Sequence, residues 1–247
     1  MTDLTGHVAV VTGGNRGIGL GLARGLVAAG ATVAVWARDE ERTAAACAEL
    51  GRAVGVRCDV ADEAQVVAAM AQTLAELSKV DSVFANAGVG GLAPFVDMSL
   101  AEWRRVMAVN LDGAFLTLRE GARHLVERGE GGSLVAVSSV SAFHGAPRQQ
   151  HYAASKTALL AVVRGLAVEL ARHRVRCNAI LPGWTETEMI EPGLANERWV
   201  DAIIRRTPVR RWGAPADFGA VAAYLADPTL LFHTGDSIVV DGGYSIF

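Results

Sequence analysis

Cysteine is scarce in this 247-residue chain: Cys47, Cys58 and Cys177 are an odd number, widely spaced and without a C-x-x-C pair. This excludes a disulfide framework or a structural zinc site and fits a reducing cytosol. An excess of either charge is also missing. With 23 Lys+Arg against 26 Asp+Glu the formal net charge is −3, and the chain has no Lys/Arg block. A strongly basic nucleic-acid binder is thereby excluded. The chain has no uninterrupted apolar run of the ~18 residues needed to span a bilayer. Its opening, MTDLTGHVAVVTGG, lacks the charged region, apolar run and cleavage site of a signal peptide. The expectation is a cytoplasmic protein with no membrane or nucleic-acid partner. Its six histidines have no metal-ligand spacing, and no metal is expected.

Hydrophobic residues make up 51% of the chain, enough for one large core and a single domain over residues 1–247. Short β-branched runs alternate with helical stretches. HVAVVT, ATVAVWA, AVGVRC, DSVFANAG, SLVAVSS, VRCNAIL and SIVVDGG read as strands, and the spans between them as helices. Among those helices are Glu102 to Glu127, taken as one long helix, and Tyr152 to Arg172. Near-continuous apolar strands separated by helices mean βαβ units. The predicted fold is therefore α/β, a single-domain Rossmann-type doubly wound parallel sheet of about seven strands with helices on both faces. Residues around 183–213, with Pro192, Pro208 and the arginines 205, 206, 210 and 211, break the rhythm and read as a substrate lid.

Thr12-Gly13-Gly14-Asn15-Arg16-Gly17-Ile18-Gly19 falls between the first strand and the first helix. Glycines there permit positive φ and close approach of a ligand, and the helix N-terminus offers free N–H groups to a pyrophosphate. A turn needing glycine only for packing is the alternative. An acid about 20 residues on would favour NAD. Here that position is Ala37, followed by Arg38, which can pair with a 2′-phosphate, as can Arg16. Asp39-Glu40-Glu41 reads as the N-cap and acidic first turn of the next helix. The pattern favours NADP(H), with a solvated loop charge as the alternative for Arg38.

Tyr152 and Lys156 are four apart on a predicted helix and share a face. An ammonium one turn away stabilises a phenolate and lowers the tyrosine pKa from near 10. Ser138-Ser139 lies thirteen residues upstream, at a predicted strand end where open α/β folds bind ligands.

With Thr12-Gly13-x-x-x-Gly17-x-Gly19, Cys58-Asp59-Val60, Asn86-Ala87-Gly88, Asn110, Ser139, Tyr152-x-x-x-Lys156, Asn178 to Gly183 and Asp241-Gly242-Gly243, the chain resembles the short-chain dehydrogenase/reductase family over essentially its whole length. The resemblance implies that Tyr152 is the general acid/base. It implies that Ser139, rather than Ser138, binds the substrate oxygen. Lys156 then lowers the tyrosine pKa and holds the ribose, and Asn110 holds a water connecting Lys156 to solvent. It also implies cofactor contacts from Gly13, Asn15, Arg16, Gly17, Ile18 and Gly19, from Arg38, Asp59 and Val60, and from Asn86, Ala87 and Gly88. Pro182, Gly183 and Thr187 would meet the nicotinamide. His144 and His151 flank this site as candidate pocket residues.

Among relatives the chain looks most like 3-oxoacyl-(acyl-carrier-protein) reductases, with Arg172 and Arg174 as a candidate carrier patch. Sugar-acid or polyol dehydrogenases are the alternative, resembled by Arg211-Trp212-Gly213-x-Pro215 with Asp217. The partner is then a small carbonyl/alcohol substrate. A polar loop, 144–151, and the lid arginines suit an anionic or hydroxylated one. A dinucleotide-binding sensor or scaffold without turnover is the reading of another class. In the family the two long helices form a dimer interface and the C-terminal segment builds tetramers, which implies a homotetramer, with a dimer as the lesser assembly.

Overall fold

Seven apolar runs become seven parallel strands: β1 (Val8–Thr12), β2 (Thr32–Ala37), β3 (Ala53–Arg57), β4 (Ser82–Ala85), β5 (Gly132–Val137), β6 (Val175–Pro182) and β7 (Ser237–Val240). In the computed structural model, which describes residues 2–190 and 195–247, they are ordered β3-β2-β1-β4-β5-β6-β7. The order reverses between β1 and β4, and a cleft opens there at the carboxyl ends of the strands. Alternation along the strands divides the core into two layers. Val8, Val10, Ala34 and Trp36 join the layer under α3 (Glu63–Leu77), α5 (Gly113–Arg128) and α6 (Gln150–Leu170). Ala9, Val11, Val33 and Val35 join the layer under α1 (Gly17–Ala28), α2 (Glu40–Leu50) and α8 (Gly219–Ala226).

Local chemistry sets the helix boundaries. The Asp39 carboxylate accepts from Arg42 N, and the Asp62 carboxylate accepts from Ala64 N and Gln65 N, so both are N-caps. The long helix expected over 102–127 is instead two. α4 (Leu100–Met107) passes through a π-turn, Ala108–Asp112, into α5. The π-turn seats the fully buried Asn110 side chain on the loop after β4. The chain stays helical through such a turn with no side-chain cap or proline to mark it, so the pattern alone reads as one helix.

Close backbone contact fixes how α1 docks. A Cβ at Gly21 would overlap the Pro215 backbone, and one at Gly25 would overlap Gly219 at the start of α8. Among the described residues no helix is long and apolar enough to cross a membrane. The lid expected over 183–213 includes α7 (Glu197–Arg206); Pro192, with the rest of 191–194, lies outside the described residues. Trp184 meets Trp199 and Trp212 edge-on and those two are tilted against each other, at centroid distances of 5.1 to 5.8 Å, which ties α7 to the segment leaving β6.

His7, buried at the start of β1, bonds Ser82 Oγ through Nε2 at 3.0 Å, and burial pulls its pKa down to about 4. An unfolded chain takes up that proton near 6.5, so stability falls as pH drops from 6.5 toward 4. Urea unfolding should show His7 removing about 2 kcal/mol of stability between pH 7 and pH 5. His7→Gln should show a correspondingly flatter pH dependence.

Candidate active site

β1 ends in a buried threonine that organises the cleft. Thr12 Oγ1 accepts from Asn86 N and Ala87 N, both at 3.0 Å, while Asn86 Nδ2 donates to Thr12 O at 2.9 Å. Asn86 thus holds the exits of β1 and β4 together, and Ala87 lies directly under Gly13. Gly13 and Gly17 have φ of +62° and +50°, where a side chain is strained. A Cβ at Gly19 would overlap the Gly13 carbonyl and the Asn86 amide, so this glycine serves packing. Ile18 packs on the α1-side core layer, and Asn15 turns inward, donating to Thr43 Oγ1 at 3.1 Å. Arg16 occupies the N-cap position of α1 without a side-chain cap, and α1 has no acid in its first turn. The free N–H groups and unopposed dipole fit a pyrophosphate. A nicotinamide dinucleotide therefore fits the cradle.

Arginines gather at the adenosine end expected for such a cofactor. Ala37 ends β2, and Arg38 Nη1 lies 3.9 Å from Asp59 Oδ2. Asp59 also accepts from Ala61 N, forming a turn, while Val60 packs against Gly113 at the start of α5. Arg16 and Arg42 both reach the Glu188 carboxylate. Arg42 is a functional candidate that motif reading passed over. Its signal was a second arginine four residues after Arg38, in the first turn of α2 past the Asp39 cap.

The remaining candidates meet at the carboxyl edge of β5. Ser138 Oγ donates to the Lys156 carbonyl at 2.7 Å, so this serine fastens α6 to the strand. Ser139 caps the following turn, accepting from Ser141 N, and its side chain acts on the Tyr152 phenol. Burial raises the Tyr152 pKa, and the Ser139 hydrogen bond offsets part of the rise. Lys156 Nζ donates to Val137 O at 2.8 Å and stands 5.8 Å from the tyrosine ring centroid. Burial pulls its pKa down to about 8. The expected lowering of the tyrosine pKa by this lysine is thus outweighed by desolvation of the phenol.

Asn110 Oδ1 accepts from Val89 N at 2.8 Å, and its Nδ2 donates to Val89 O and Ser155 Oγ. Gly88 lies between Asn110 and Lys156, since a Cβ there would sit 3.4 Å from both Asn110 Oδ1 and Lys156 Nζ. Pro182 ends β6. Gly183 donates to Val240 O and leaves room for Asp241, while Thr187 sits against Gly17.

The other candidate side chains have protein neighbours of their own. His151 is fully buried, with Nε2 3.4 Å from Glu102 Oε1, and His144 stacks edge-on with Tyr244. Arg211 forms a two-pronged pair with Asp217, and Arg206 lies over the Tyr244 ring, so these lid arginines already have protein partners. Arg174 precedes β6, at the edge of the sheet opposite Ser139, and donates to Gly129 O. Arg172 stands two residues before it, so neither belongs to a carrier patch beside the site.

This pairing of a doubly wound sheet with a Ser–Tyr–Lys cluster defines a nucleotide-dependent dehydrogenase. A family model described as enoyl-(acyl carrier protein) reductase matches residues 13–245. An L-rhamnose 1-dehydrogenase (NAD(P)(+)) of Sphingomonas sp. is 36% identical over 98% of each chain. A 3-oxoacyl-[acyl-carrier-protein] reductase of Chlamydia pneumoniae is 33% identical over 97% of each. The crystal structure of a gluconate 5-dehydrogenase from Burkholderia cenocepacia in complex with NADP and tartrate superposes with a TM-score of 0.94 at 34% identity, covering 99% of this chain and 97% of that one. The chain belongs to the short-chain dehydrogenase/reductase family of oxidoreductases.

The two adjacent serines should separate on substitution. Ser138→Ala should lower stability by about 1 kcal/mol through the lost bond to α6. Ser139→Ala should cost about as much through its lost cap, while turnover falls about 10²–10³-fold, a loss that Ser138→Ala does not share. Thermal melts and initial rates on both variants check this.

Proposed function

We propose that the protein interconverts a ketone and a secondary alcohol with NADP(H), on a sugar acid or polyol. The observation that carries the reaction is the meeting of Ser139, Tyr152 and Lys156 at the carboxyl end of β5, beside the glycine turn. The nicotinamide supplies or accepts the hydride. In reduction, Tyr152 donates its phenolic proton to the carbonyl oxygen as negative charge develops there, and Ser139 donates a hydrogen bond to that oxygen. In oxidation, Tyr152 takes the alcohol proton. The Lys156 ammonium favours the phenolate electrostatically and holds the nicotinamide ribose. Asn110, across Gly88 from Lys156, positions a water that carries the proton onward to solvent. The glycine turn, Arg38, Asp59, Val60, the segment 86–88, Pro182, Gly183 and Thr187 form the cofactor groove.

NADP(H) is favoured because β2 ends in Ala37 where an acid would repel a 2′-phosphate, and Arg16, Arg38 and Arg42 surround that end. The gluconate 5-dehydrogenase structure with NADP supports the same choice. For the substrate, the rhamnose and gluconate dehydrogenases support the carbohydrate branch. The carrier-protein reading loses its basic patch, because Arg174 lies across the sheet from the site.

NADPH oxidation should be measured with a keto-sugar acid and an acetoacetyl thioester in parallel. The keto-sugar acid should give the higher kcat/KM, by about tenfold or more; preference for the thioester overturns the substrate reading. Tyr152→Phe should cut kcat about 10²–10⁴-fold and leave NADPH affinity intact. Unchanged turnover in that variant sinks the mechanism.

The assembly we propose is a homotetramer. Phe115 and Val168 are exposed on α5 and α6, and Val239, Ile246 and Phe247 on β7 and the C-terminus, giving two apolar faces at different sides of the sheet. Light scattering should return four times the 25.9 kDa chain mass; a monomer contradicts it.

A further inference from the structure

Residues 187–189 straddle the cleft. A Cβ at Gly17 would meet Thr187 Cγ2 at 3.3 Å, and a Cβ at Gly90, on the opposite wall, would meet Met189 Cγ at 3.3 Å. Between them Glu188 reaches Arg16 in the glycine turn and Arg42 in the first turn of α2, with Arg42 Nη1 to Glu188 Oε1 at 2.6 Å. Three separate stretches of chain are thus joined by one carboxylate.

We infer that Glu188 is a specificity-determining residue for the cofactor. Its carboxylate occupies the guanidinium groups that a ribose 2′-phosphate would take, so binding of NADP(H) displaces it and binding of NAD(H) does not. The inference rests on the NADP(H) reading above. Charge at this end is balanced: Arg16, Arg38 and Arg42 face Glu188, Asp59 and Asp39, the last 3.8 Å from Arg42. Three cations against three anions leave no net attraction for a phosphate until one anion moves. Glu188 is the one on a segment that is not part of either nucleotide-binding strand end. Its pairs are about half exposed to solvent, hence weak. A 2′-phosphate carries about −1.5 to −2 charge and three acceptor oxygens, against one charge and two oxygens on the carboxylate. The phosphate therefore wins both guanidiniums, whereas a ribose 2′-hydroxyl brings no charge to compete.

The test uses the full-length protein and two probes of the adenosine end alone, adenosine 2′,5′-bisphosphate and AMP, titrated by calorimetry. Glu188→Gln should bind the bisphosphate about tenfold more tightly, with AMP affinity changed less than about twofold. Adding Arg42→Gln should cancel the gain, and thermal melts confirm that each variant is folded. Unchanged bisphosphate affinity, equal tightening of AMP, or weakening of both overturns the inference. The wild-type ratio of the two affinities reads the NADP(H) proposal separately. Equal wild-type affinities with a gain in Glu188→Gln would sink that proposal and leave Glu188 as the residue that masks the arginines.

Discussion

The knot between Thr12 and Asn86 is the constraint on which the cleft depends. Two backbone N–H groups lie just past the end of β4, only that of Asn86 turning back to a β4 carbonyl, Phe84 O, and a buried N–H without an acceptor is costly. The Thr12 hydroxyl accepts both, and the Asn86 amide returns a bond to the Thr12 carbonyl. With both strand ends held, Gly13 has its position and φ determined, and the N-terminus of α1 points into the cleft. The same contact brings Gly88 between Asn110 and Lys156. One hydroxyl thereby sets the distance between the dinucleotide cradle and the proton-transfer groups.

Burial supplies the second constraint, and it acts in opposite directions on neighbouring groups. It raises the Tyr152 phenol and lowers the Lys156 ammonium to about 8, so their pKa values move apart. Both shifts favour the uncharged forms, so burial alone holds Tyr152 as a protonated phenol. The lysine is held by the Val137 carbonyl, and α6 itself by Ser138, so neither partner can swing away. Cys58 and Cys177 show burial without such company. Their thiols are pushed up to about 12 and stay inert, in line with a purely packing role.

Much of this was legible in the sequence for physical reasons. β-branched runs and acid-capped helix starts are local signals, and the Asp39 cap and the strand series follow from them directly. The motif residues were legible as positions, but not always as roles. Asn15, Asn86 and Gly19 carry the glycine turn by hydrogen bonding and packing, which spacing alone does not distinguish from ligand contact. The π-turn at Asn110 was illegible because the chain stays helical through it, with no cap or proline to mark it. Arg174 misled because its side of the sheet depends on where β6 begins. The Glu188 bridge joins residues 172 and 146 positions apart, beyond the reach of any local pattern.

The division between cradle and lid explains why this architecture leaves the substrate open. The cradle is built from strand ends in the sheet, where each hydrogen bond is shared with the core and substitution would disturb the fold. The lid is fastened differently. Trp184, Trp199 and Trp212 form their own aromatic cluster, and Arg211 pairs with Asp217 within six residues. Changes there need not propagate into the sheet, so pocket shape can vary while Ser139, Tyr152 and Lys156 stay in register. Relatives one-third identical can therefore share the reaction and differ in substrate. On the proposed reading the chemistry rests on β1, β4, β5 and α6, and substrate choice on the segments after β6.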